Sequence, residues 1–205
     1  MDRRDDDEAA LAKLLDARNE HPESLREIDA EIWRRFGRTC AVLVLDMCGF
    51  SRLTMRYGIT HFLAMIHRLQ SLVRPIIGKQ RGRVVKMEAD NVFAVFERVE
   101  DAVGAAREVQ EQLATANVFL PDDWDLHASI GIGYGPLLVV DEEDLFGSEM
   151  NVASKLGEDI AGRGEILLSV AARERLGAEA RAGLEPLTIE LSGLSLEAFK
   201  LSPER

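Results

Sequence analysis

The sequence predicts an α+β sandwich, in which one mostly antiparallel sheet carries helices on one face. Three observations lead to this class. A continuous apolar run at positions 40–46 is typical of a strand buried on both faces. Two short runs rich in Val and Phe flank a tight turn at Asp90, as in a hairpin. Segments with helical spacing separate these strands, and the order β-α-α-β-β-α-β suits one sheet with helices packed against it.

Composition limits the size of the fold and the kinds of partner. The 205 residues, 46% of them hydrophobic, suffice for one well-buried core with a small appendage. A formal net charge of -11 argues against a surface for DNA or RNA, because phosphate backbones require a positive footprint. No run approaches the roughly 20 apolar residues of a membrane helix, and the acidic amino terminus does not resemble a signal peptide. We therefore expect a cytoplasmic protein without a membrane partner.

The first 38 residues are predicted to form a helical leader, followed by a single domain at 39–205. The apolar residues of the leader recur at helical spacing on two stretches that Pro22 divides: Leu11, Leu14 and Leu15, then Leu25, Ile28, Ile32, Trp33 and Phe36. Two interpretations remain open. The leader mediates dimer contact or receives a signal from an upstream partner, or it is an amphipathic helical pair packed on its own domain.

The central elements follow from strand and helix signals. The first strand ends at Asp46, and a helix is predicted from Ser51, a good N-cap, to Gly78, with a break at Gly58. Strands are expected at 83–88 and 91–96, which places Asp90 at the tip of their hairpin. A helix at 99–113 follows.

The remaining elements complete the sheet. A strand pair is predicted at 126–134 and 137–140, joined at Gly135-Pro136, and Phe146-Gly147 introduces a helix with an apolar face. Further strands are expected at 165–169, 187–191 and 196–201, with a short helix that ends near Leu176.

The two cysteines and the histidines carry no predicted chemistry. Cys40 and Cys48 lie on or beside one strand, which is too extended for an easy local disulfide and lacks the partners of a zinc site. We expect both thiols to be reduced packing residues. His61, His67 and His127 show no metal-ligand spacing.

Asp46 and Asp90 are the most informative polar residues, because each lies where an apolar strand meets a turn. A carboxylate beside such a hydrophobic run is costly unless something compensates its charge. Two divalent cations flanked by phosphates would do so, which predicts a two-metal site for phosphoryl transfer. The alternative is structural: Asp46 could cap the following helix, and Asp90 could serve a tight turn.

Three ordered segments resemble the catalytic domains of the class III nucleotidyl cyclases, which make cyclic AMP or cyclic GMP. They are Asp-Met-Cys-Gly-Phe-Ser at 46–51, Lys-Met-Glu-Ala-Asp at 86–90, and Asp-Leu-Phe-Gly-Ser-Glu-Met-Asn-Val-Ala-Ser-Lys at 144–155. The resemblance covers about 41–201 and implies the ferredoxin-like class III sandwich, preceded here by the leader.

The first segment and the hairpin would hold metal and phosphate. The resemblance implies that Asp46 and Asp90 bind two Mg²⁺ or Mn²⁺ ions, with the carbonyl of Met47 as a further oxygen ligand. The backbone N–H groups at the following helix start, those of Gly49, Phe50 and Ser51, would receive phosphate oxygens of ATP.

Further residues of the hairpin segment and of the third segment would read the base and support the reaction. The resemblance implies that Lys86 and Asp144 bind adenine, the lysine at a ring nitrogen and the carboxylate at the exocyclic amine, which favours ATP over GTP. Asn151 would orient the ribose. Lys155, one helical turn further on, would meet charge that develops on the α-phosphate.

The resemblance implies an adenylate cyclase, a phosphorus–oxygen lyase of signal transduction, that is active only as a homodimer. In that family the metal aspartates of one subunit face the base-reading residues and the catalytic residues of the other. Each site would therefore contain residues of both copies.

Three departures from the family pattern predict low activity. Lys155 replaces the usual arginine, and an ammonium cannot reproduce the planar fork of a guanidinium on phosphate oxygens. Ala89 replaces the glycine before the second aspartate, and Ser192 stands near the place of a lysine that contacts the terminal phosphates. The alternatives are a non-catalytic regulatory dimer that senses nucleotide, or another nucleotide-polymerising or nucleotide-cyclising enzyme with paired carboxylates. The last leaves Lys86, Asp144 and Asn151 unexplained.

Overall fold

The computed structural model describes residues 3–49, 55–121, 124–140, 144–191 and 194–202. Its helices include α1 (Arg3–Glu20), α2 (Leu25–Phe36), α3 (Ile59–Lys79), α4 (Val99–Asn117), α5 (Ser148–Ser154), α6 (Val170–Arg175) and α7 (Ala178–Ala182). A 3₁₀ turn (Pro22–Ser24) separates α1 from α2, and a π-helical segment (Lys155–Ile160) continues α5. The strands are β1 (Gly37–Met47), β2 (Arg83–Glu88), β3 (Asn91–Phe96), β4 (Ala128–Val140), β5 (Asp144–Phe146), β6 (Ile166–Ser169), β7 (Leu184–Leu191) and β8 (Leu194–Leu201).

The described strands form one sheet in the order β2-β3-β1-β4-β6-β8-β7, with β5 paired to β4. Among the described strand pairs, β4 and β6 run parallel and the others are antiparallel. This confirms the predicted α+β architecture with a mostly antiparallel sheet. In the described residues no helix is both long and apolar enough to cross a bilayer.

Strand β1 is the central strand that its apolar run predicts. Residues 41–45 are between 0% and 1% exposed, because both faces of the strand are covered. One face packs with α3 and α4 in the main core, where Leu43 and Leu45 join Leu69 and Val109. A helix that buries a stripe of this kind is stabilised mainly by packing rather than by its intrinsic propensity.

The opposite face of β1 packs with the shorter α5. Val42 and Val44 lie there in a second cluster with Phe93, Met150 and Ala153. The predicted layer of helices on one face is formed by α3 and α4, whereas α5 lies on the other face, which we call the α5 face of the sheet.

Strand β4 is continuous through Gly135-Pro136, so the predicted pair of strands joined there was wrong. Gly135 and Pro136 lie in register with Cys40 and Thr39 of β1. The N–H of Tyr134, two residues earlier, points away from β1 and donates to Glu149. The nitrogen of Pro136 faces the same side as that N–H, so the absence of a proton on it costs no hydrogen bond to β1.

The helix predicted from Ser51 starts outside the described residues, but its break at Gly58 is confirmed. Gly58 has φ +81° and lies between helical residues 55–57 and the start of α3. Such a φ favours glycine, which has no Cβ to clash with the backbone. Cys40 is buried and Cys48 is partly buried, and both are free thiols, as expected.

The leader packs on the end of the sheet. Ile32 and Phe36 of α2 form a small core with Val140 of β4, and Leu11 and Leu14 of α1 pack against it. This contact fits the interpretation of a helical pair packed on its own domain. The division of the chain at residue 38 stays a prediction, and α2 continues directly into β1.

Candidate active site

Asp46 lies one residue before the end of β1, on the α5 face. It stands in register between Asn91 of β3 and Ser129 of β4. Asp90 occupies the tight turn that joins β2 to β3, so the hairpin brings it beside Asp46 as the sequence predicts. The two residues are far apart in the sequence, and the pairing of β1 with β3 brings them together.

Burial and negative neighbours disfavour the charge of Asp46. Burial above all, and then the charges of Asp90, Glu158 and Asp159, raise the pKa of Asp46 to about 7, against a hydrogen bond from the backbone N–H of Met47. The carboxylate is therefore held in a place where its negative charge lacks compensation. A cation bound between Asp46 and Asp90 would supply that compensation.

Glu158 and Asp159 are acidic neighbours that the sequence reasoning missed. Both lie in the π-helical segment, which follows α5 on the α5 face. Burial raises the pKa of Glu158, and the nearby charges of Asp159, Asp90 and Glu88 raise it further, against a hydrogen bond from Ser154. The sequence shows that the two acidic residues are adjacent. It does not show the irregular π-helical turn that brings their charges near Asp46, because that turn depends on tertiary packing.

The donors around Asp46 are oxygen atoms, which suit Mg²⁺ or Mn²⁺. The side-chain oxygen of Asn91, in register with Asp46, is buried and has no hydrogen-bond partner within the described structure. An unpartnered buried acceptor beside two carboxylates fits a hard cation. In the described parts of the chain, no three acidic, histidine or cysteine side chains converge closely enough to form a metal cluster by themselves.

Of the three residues predicted to contact phosphate, the structure describes only Gly49, which lies in the turn after β1. Gly49 has φ +99°, a conformation that favours glycine. Met47 is the last residue of β1, and it is 2% exposed because its side chain packs in the main core. Phe50 and Ser51 lie outside the described residues, so their predicted roles stay predictions.

Lys86 and Asp144 contact each other. The ammonium of Lys86 lies 3.0 Å from Asp144 Oδ1 and 3.1 Å from Glu88 Oε2, and it is 4.9 Å from the ring centroid of Phe93. Burial alone would lower the pKa of Lys86, but the hydrogen bonds that it donates to Asp144 and Glu88 outweigh this and raise the pKa. A positive donor and a negative acceptor thus lie side by side.

The strand register places this pair near Asp46. Lys86, Phe93 and Val44 form one row across β2, β3 and β1, and the next row, two residues along β1, contains Asp46. Residues two apart on a strand share a face, so Lys86 and Asp46 both belong to the α5 face. The proposed base-reading and metal-binding residues therefore face the same side of the sheet.

Asn151 and Lys155 lie on α5 and at its end. Asn151 is exposed, because the buried side of the short helix is formed by Met150 and Ala153. Lys155 begins the π-helical segment, and its ammonium lies 2.6 Å from Asp159 Oδ2. The sequence thus placed both residues on one helical element but did not predict the partner of Lys155.

Ala89 has a backbone conformation that favours glycine. It is in the left-handed region with φ +49° at the turn of the hairpin. A Cβ in this conformation costs about 1–2 kcal/mol. The hairpin that presents Asp90 is therefore built with backbone strain.

Comparison with known proteins finds similar chains among proteins named as cyclases. No family model matches the chain. A putative adenylate cyclase 3 of Rhizobium meliloti (strain 1021) is 33% identical over 132 residues, which are 64% of this chain and 22% of that protein. The chain spans less than half the length of the curated relatives it matches.

Solved structures share the fold over most of the chain. A crystal structure described as an adenylate/guanylate cyclase/hydrolase from Silicibacter pomeroyi matches with a TM-score of 0.71 and 27% identity, over 82% of this chain and 98% of that one. The catalytic core of a rhodopsin-guanylyl cyclase with converted specificity, in complex with ATPalphaS, matches with a TM-score of 0.69 and 19% identity, over 81% of this chain and 98% of that one.

Proposed function

We propose that this chain, which has the fold of solved adenylate/guanylate cyclase catalytic domains, converts ATP to 3′,5′-cyclic AMP and pyrophosphate. The observation that carries the choice of ATP is the contact between Lys86 and Asp144 at 3.0 Å. Adenine offers a ring nitrogen that accepts a hydrogen bond and an amine that donates one. A cationic donor beside an anionic acceptor matches both, whereas guanine presents the opposite pattern on that edge.

The reaction forms one P–O bond and breaks another. The ribose 3′ oxygen attacks the α-phosphorus in line, loses its proton, and pyrophosphate leaves. In this proposal Asn151 holds the ribose, and Lys155 stabilises charge that develops on the α-phosphate oxygens. The backbone N–H groups of Gly49 and of the two residues predicted with it, Phe50 and Ser51, would hold the phosphates.

Asp46 and Asp90, with the carbonyl of Met47, would hold two divalent ions. When bound, such ions lower the pKa of the attacking hydroxyl and neutralise the triphosphate. The raised pKa of Asp46, about 7, supports this assignment because it marks an anion that lacks a counter-charge in the chain alone.

We further propose that the active form is a homodimer. Within one chain the ammonium of Lys155 is paired with Asp159, at 2.6 Å. In the proposed dimer Lys155 of one copy would serve the nucleotide held by Asp46 and Asp90 of the other. This arrangement gives two equivalent sites and explains why monomeric protein would be inactive.

The direct test measures cyclic AMP formed from ATP and Mn²⁺ by the wild type, Asp46→Ala and Asp90→Ala. We expect both variants to lose activity by about 100-fold or more, because each removes a ligand of the ions. Equal rates in all three proteins would overturn the metal assignment. The second candidate is a non-catalytic module that senses nucleotide. The backbone strain at Ala89 and the lysine at position 155 favour it, and nucleotide binding without turnover in the wild type would support it.

A further inference from the structure

Glu149 is a charged residue on the first turn of α5 with partners on two strands. Its Oε2 accepts a hydrogen bond from the backbone N–H of Tyr134 at 3.1 Å and another from the hydroxyl of Ser169 at 2.8 Å. The oxygen of Ser169 in turn accepts from the N–H of Ala172 at 3.1 Å, which caps α6. One carboxylate oxygen therefore joins α5 to β4 and to the end of β6.

The N–H of Tyr134 needs this partner because the sheet leaves it without one. Strand β6 pairs with β4 only as far as Ile132, and β5 begins to pair with it at Leu138. Between those points the described edge of β4 that faces away from β1 lacks a strand neighbour. An unsatisfied N–H in a partly buried place destabilises the fold, and the hydrogen bond to Glu149 satisfies this one.

Glycines let Glu149 lie directly on the strand. A Cβ at Gly133 would be 2.6 Å from the carbonyl oxygen of Glu149, and one at Gly135 would be 2.8 Å from its Cγ. Further along, a Cβ at Gly131 would be 2.1 Å from the carbonyl oxygen of Ala153. The helix is thus seated on a row of three glycines, and the Glu149 carboxylate fixes the amino-terminal end of that seat.

We propose that Glu149 is a positioning residue for the proposed reaction: it sets where α5 presents Asn151 and Lys155, which in the proposed dimer serve the nucleotide held by Asp46 and Asp90 of the other copy. Asn151 follows two residues later on the same helix, and the backbone N–H of Lys155 donates to the carbonyl oxygens of Asn151 and Val152. A shift of α5 therefore moves both residues together. Asn151 is exposed and Lys155 is only half-buried, so their own side chains do not fix their positions.

This inference rests on the proposed function, and a graded set of variants tests it. Glu149→Gln keeps an oxygen that can accept both hydrogen bonds, Glu149→Asp withdraws the acceptor by one methylene, and Glu149→Ala removes it. We expect kcat to fall about 10- to 100-fold in the Asp and Ala variants, with KM for Mn²⁺–ATP within about twofold, because misplacement by about 1 Å impairs reaction more than binding. Glu149→Gln should retain kcat within about threefold.

Asp101→Ala is the matched control. Asp101 is a carboxylate of α4 that is 8% exposed and pairs with Arg81, so its loss also removes a buried charge partner but leaves α5 untouched. Its kcat per folded molecule should match the wild type. If Asp101→Ala loses as much kcat as Glu149→Ala, or if Glu149→Asp and Glu149→Gln both keep wild-type kcat, Glu149 only supports the fold and the inference is wrong.

Hydrogen exchange separates this inference from the proposed function, because it needs no turnover. Backbone amides of 150–155 should exchange faster in Glu149→Asp than in wild type, whereas amides of α4 should not change. Asp101→Ala should show the reverse. If the wild type is inactive but shows this exchange pattern, the cyclase proposal is wrong and Glu149 still fixes the position of α5. If exchange is unchanged in Glu149→Asp, Glu149 does not fix the position of α5, whatever the activity.

Discussion

The ammonium of Lys155 lies 2.6 Å from the carboxylate of Asp159, four residues further along the chain. The residue proposed to contact the α-phosphate therefore already has an anionic partner in its own subunit. Both side chains are about half exposed, and solvent-exposed pairs at this spacing contribute only about 0.3–0.5 kcal/mol. Such a pair is weak enough for a phosphate group to replace the carboxylate.

Lys155→Arg should raise kcat for cyclic AMP formation several-fold. A guanidinium can donate two parallel hydrogen bonds to phosphate oxygens, which a single ammonium cannot. Lys155→Ala should lower kcat about 100-fold, because it removes a donor to developing charge. Steady-state rates with Mn²⁺–ATP measure both effects.

Lys79→Arg provides the control for the arginine substitution. Lys79 is an exposed residue of α3 that pairs with Glu108 at 2.7 Å, away from the α5 face. It should leave kcat unchanged. A wild-type rate for Lys155→Arg would mean that another group limits turnover, and a wild-type rate for Lys155→Ala would exclude Lys155 from the reaction.

Lys86→Glu combined with Asp144→Cys should shift the preference from ATP toward GTP. The double variant removes the donor–acceptor pair that matches adenine and puts an acceptor where guanine offers donors. We expect the ratio of kcat/KM for the two nucleotides to change about tenfold or more, because an unpaired polar group in a base pocket is strongly penalised. Rates with each nucleotide give the ratio, and an unchanged preference for ATP would remove both residues from base reading.

The stability of the metal-free protein should fall as the pH rises through about 7, the pKa of Asp46 in the folded chain. The ordinary pKa is 3.8, so folding raises it, and the stabilisation is fully present below that value and is lost as pH rises through 7. Between pH 6 and pH 8 this group should remove about 1 kcal/mol from the free energy of unfolding.

Urea unfolding of wild type and Asp46→Asn at the two pH values measures this effect. The variant cannot ionise at this position, so its stability should change less between pH 6 and pH 8 than that of the wild type, and it should be the more stable protein at pH 8. Identical pH dependence in the two proteins would show that Asp46 is ionised at both values. Mn²⁺ should restore stability to the wild type at pH 8 and not to Asp46→Asn, because ligand binding to the folded state stabilises it.

Ala89→Gly should stabilise the protein by roughly 0.5–1 kcal/mol, because glycine adopts the left-handed conformation of the hairpin turn without strain but is more flexible when unfolded. Thermal or urea unfolding measures the change. Ala102→Gly, in the buried interior of α4, is the matched control and should destabilise by about 1 kcal/mol or more. Destabilisation by both changes would argue against strain at Ala89.

The sequence sufficed for elements whose signal is local. The run of buried residues at 41–45 could be assigned to a central strand because both faces of such a strand are apolar. The hairpin turn at Asp90 was also anticipated. The resemblance named Lys86 and Asp144 together as adenine ligands, but their contact with each other was not predicted.

What the sequence could not show depends on packing between distant segments. Strand β4 continues through Gly135-Pro136 because no neighbouring strand needs a hydrogen bond from the nitrogen of Pro136. The sequence alone does not show which strands lie beside this position. The π-helical segment is shaped where Gly157 meets the sheet: a Cβ there would be 2.7 Å from the carbonyl oxygen of Val44. That contact orients Glu158 and Asp159, whose influence on Asp46 therefore escaped prediction.

The direct passage from α2 into β1 has a mechanical consequence. Helix α2 ends at Phe36 and β1 begins at Gly37, so the two elements meet without slack. The strand that begins there is held by ladders on both sides and ends beside Asp46. A displacement of α2 should therefore shift β1 and, with it, the position of Asp46, and a flexible insertion between Phe36 and Gly37 should uncouple the two elements.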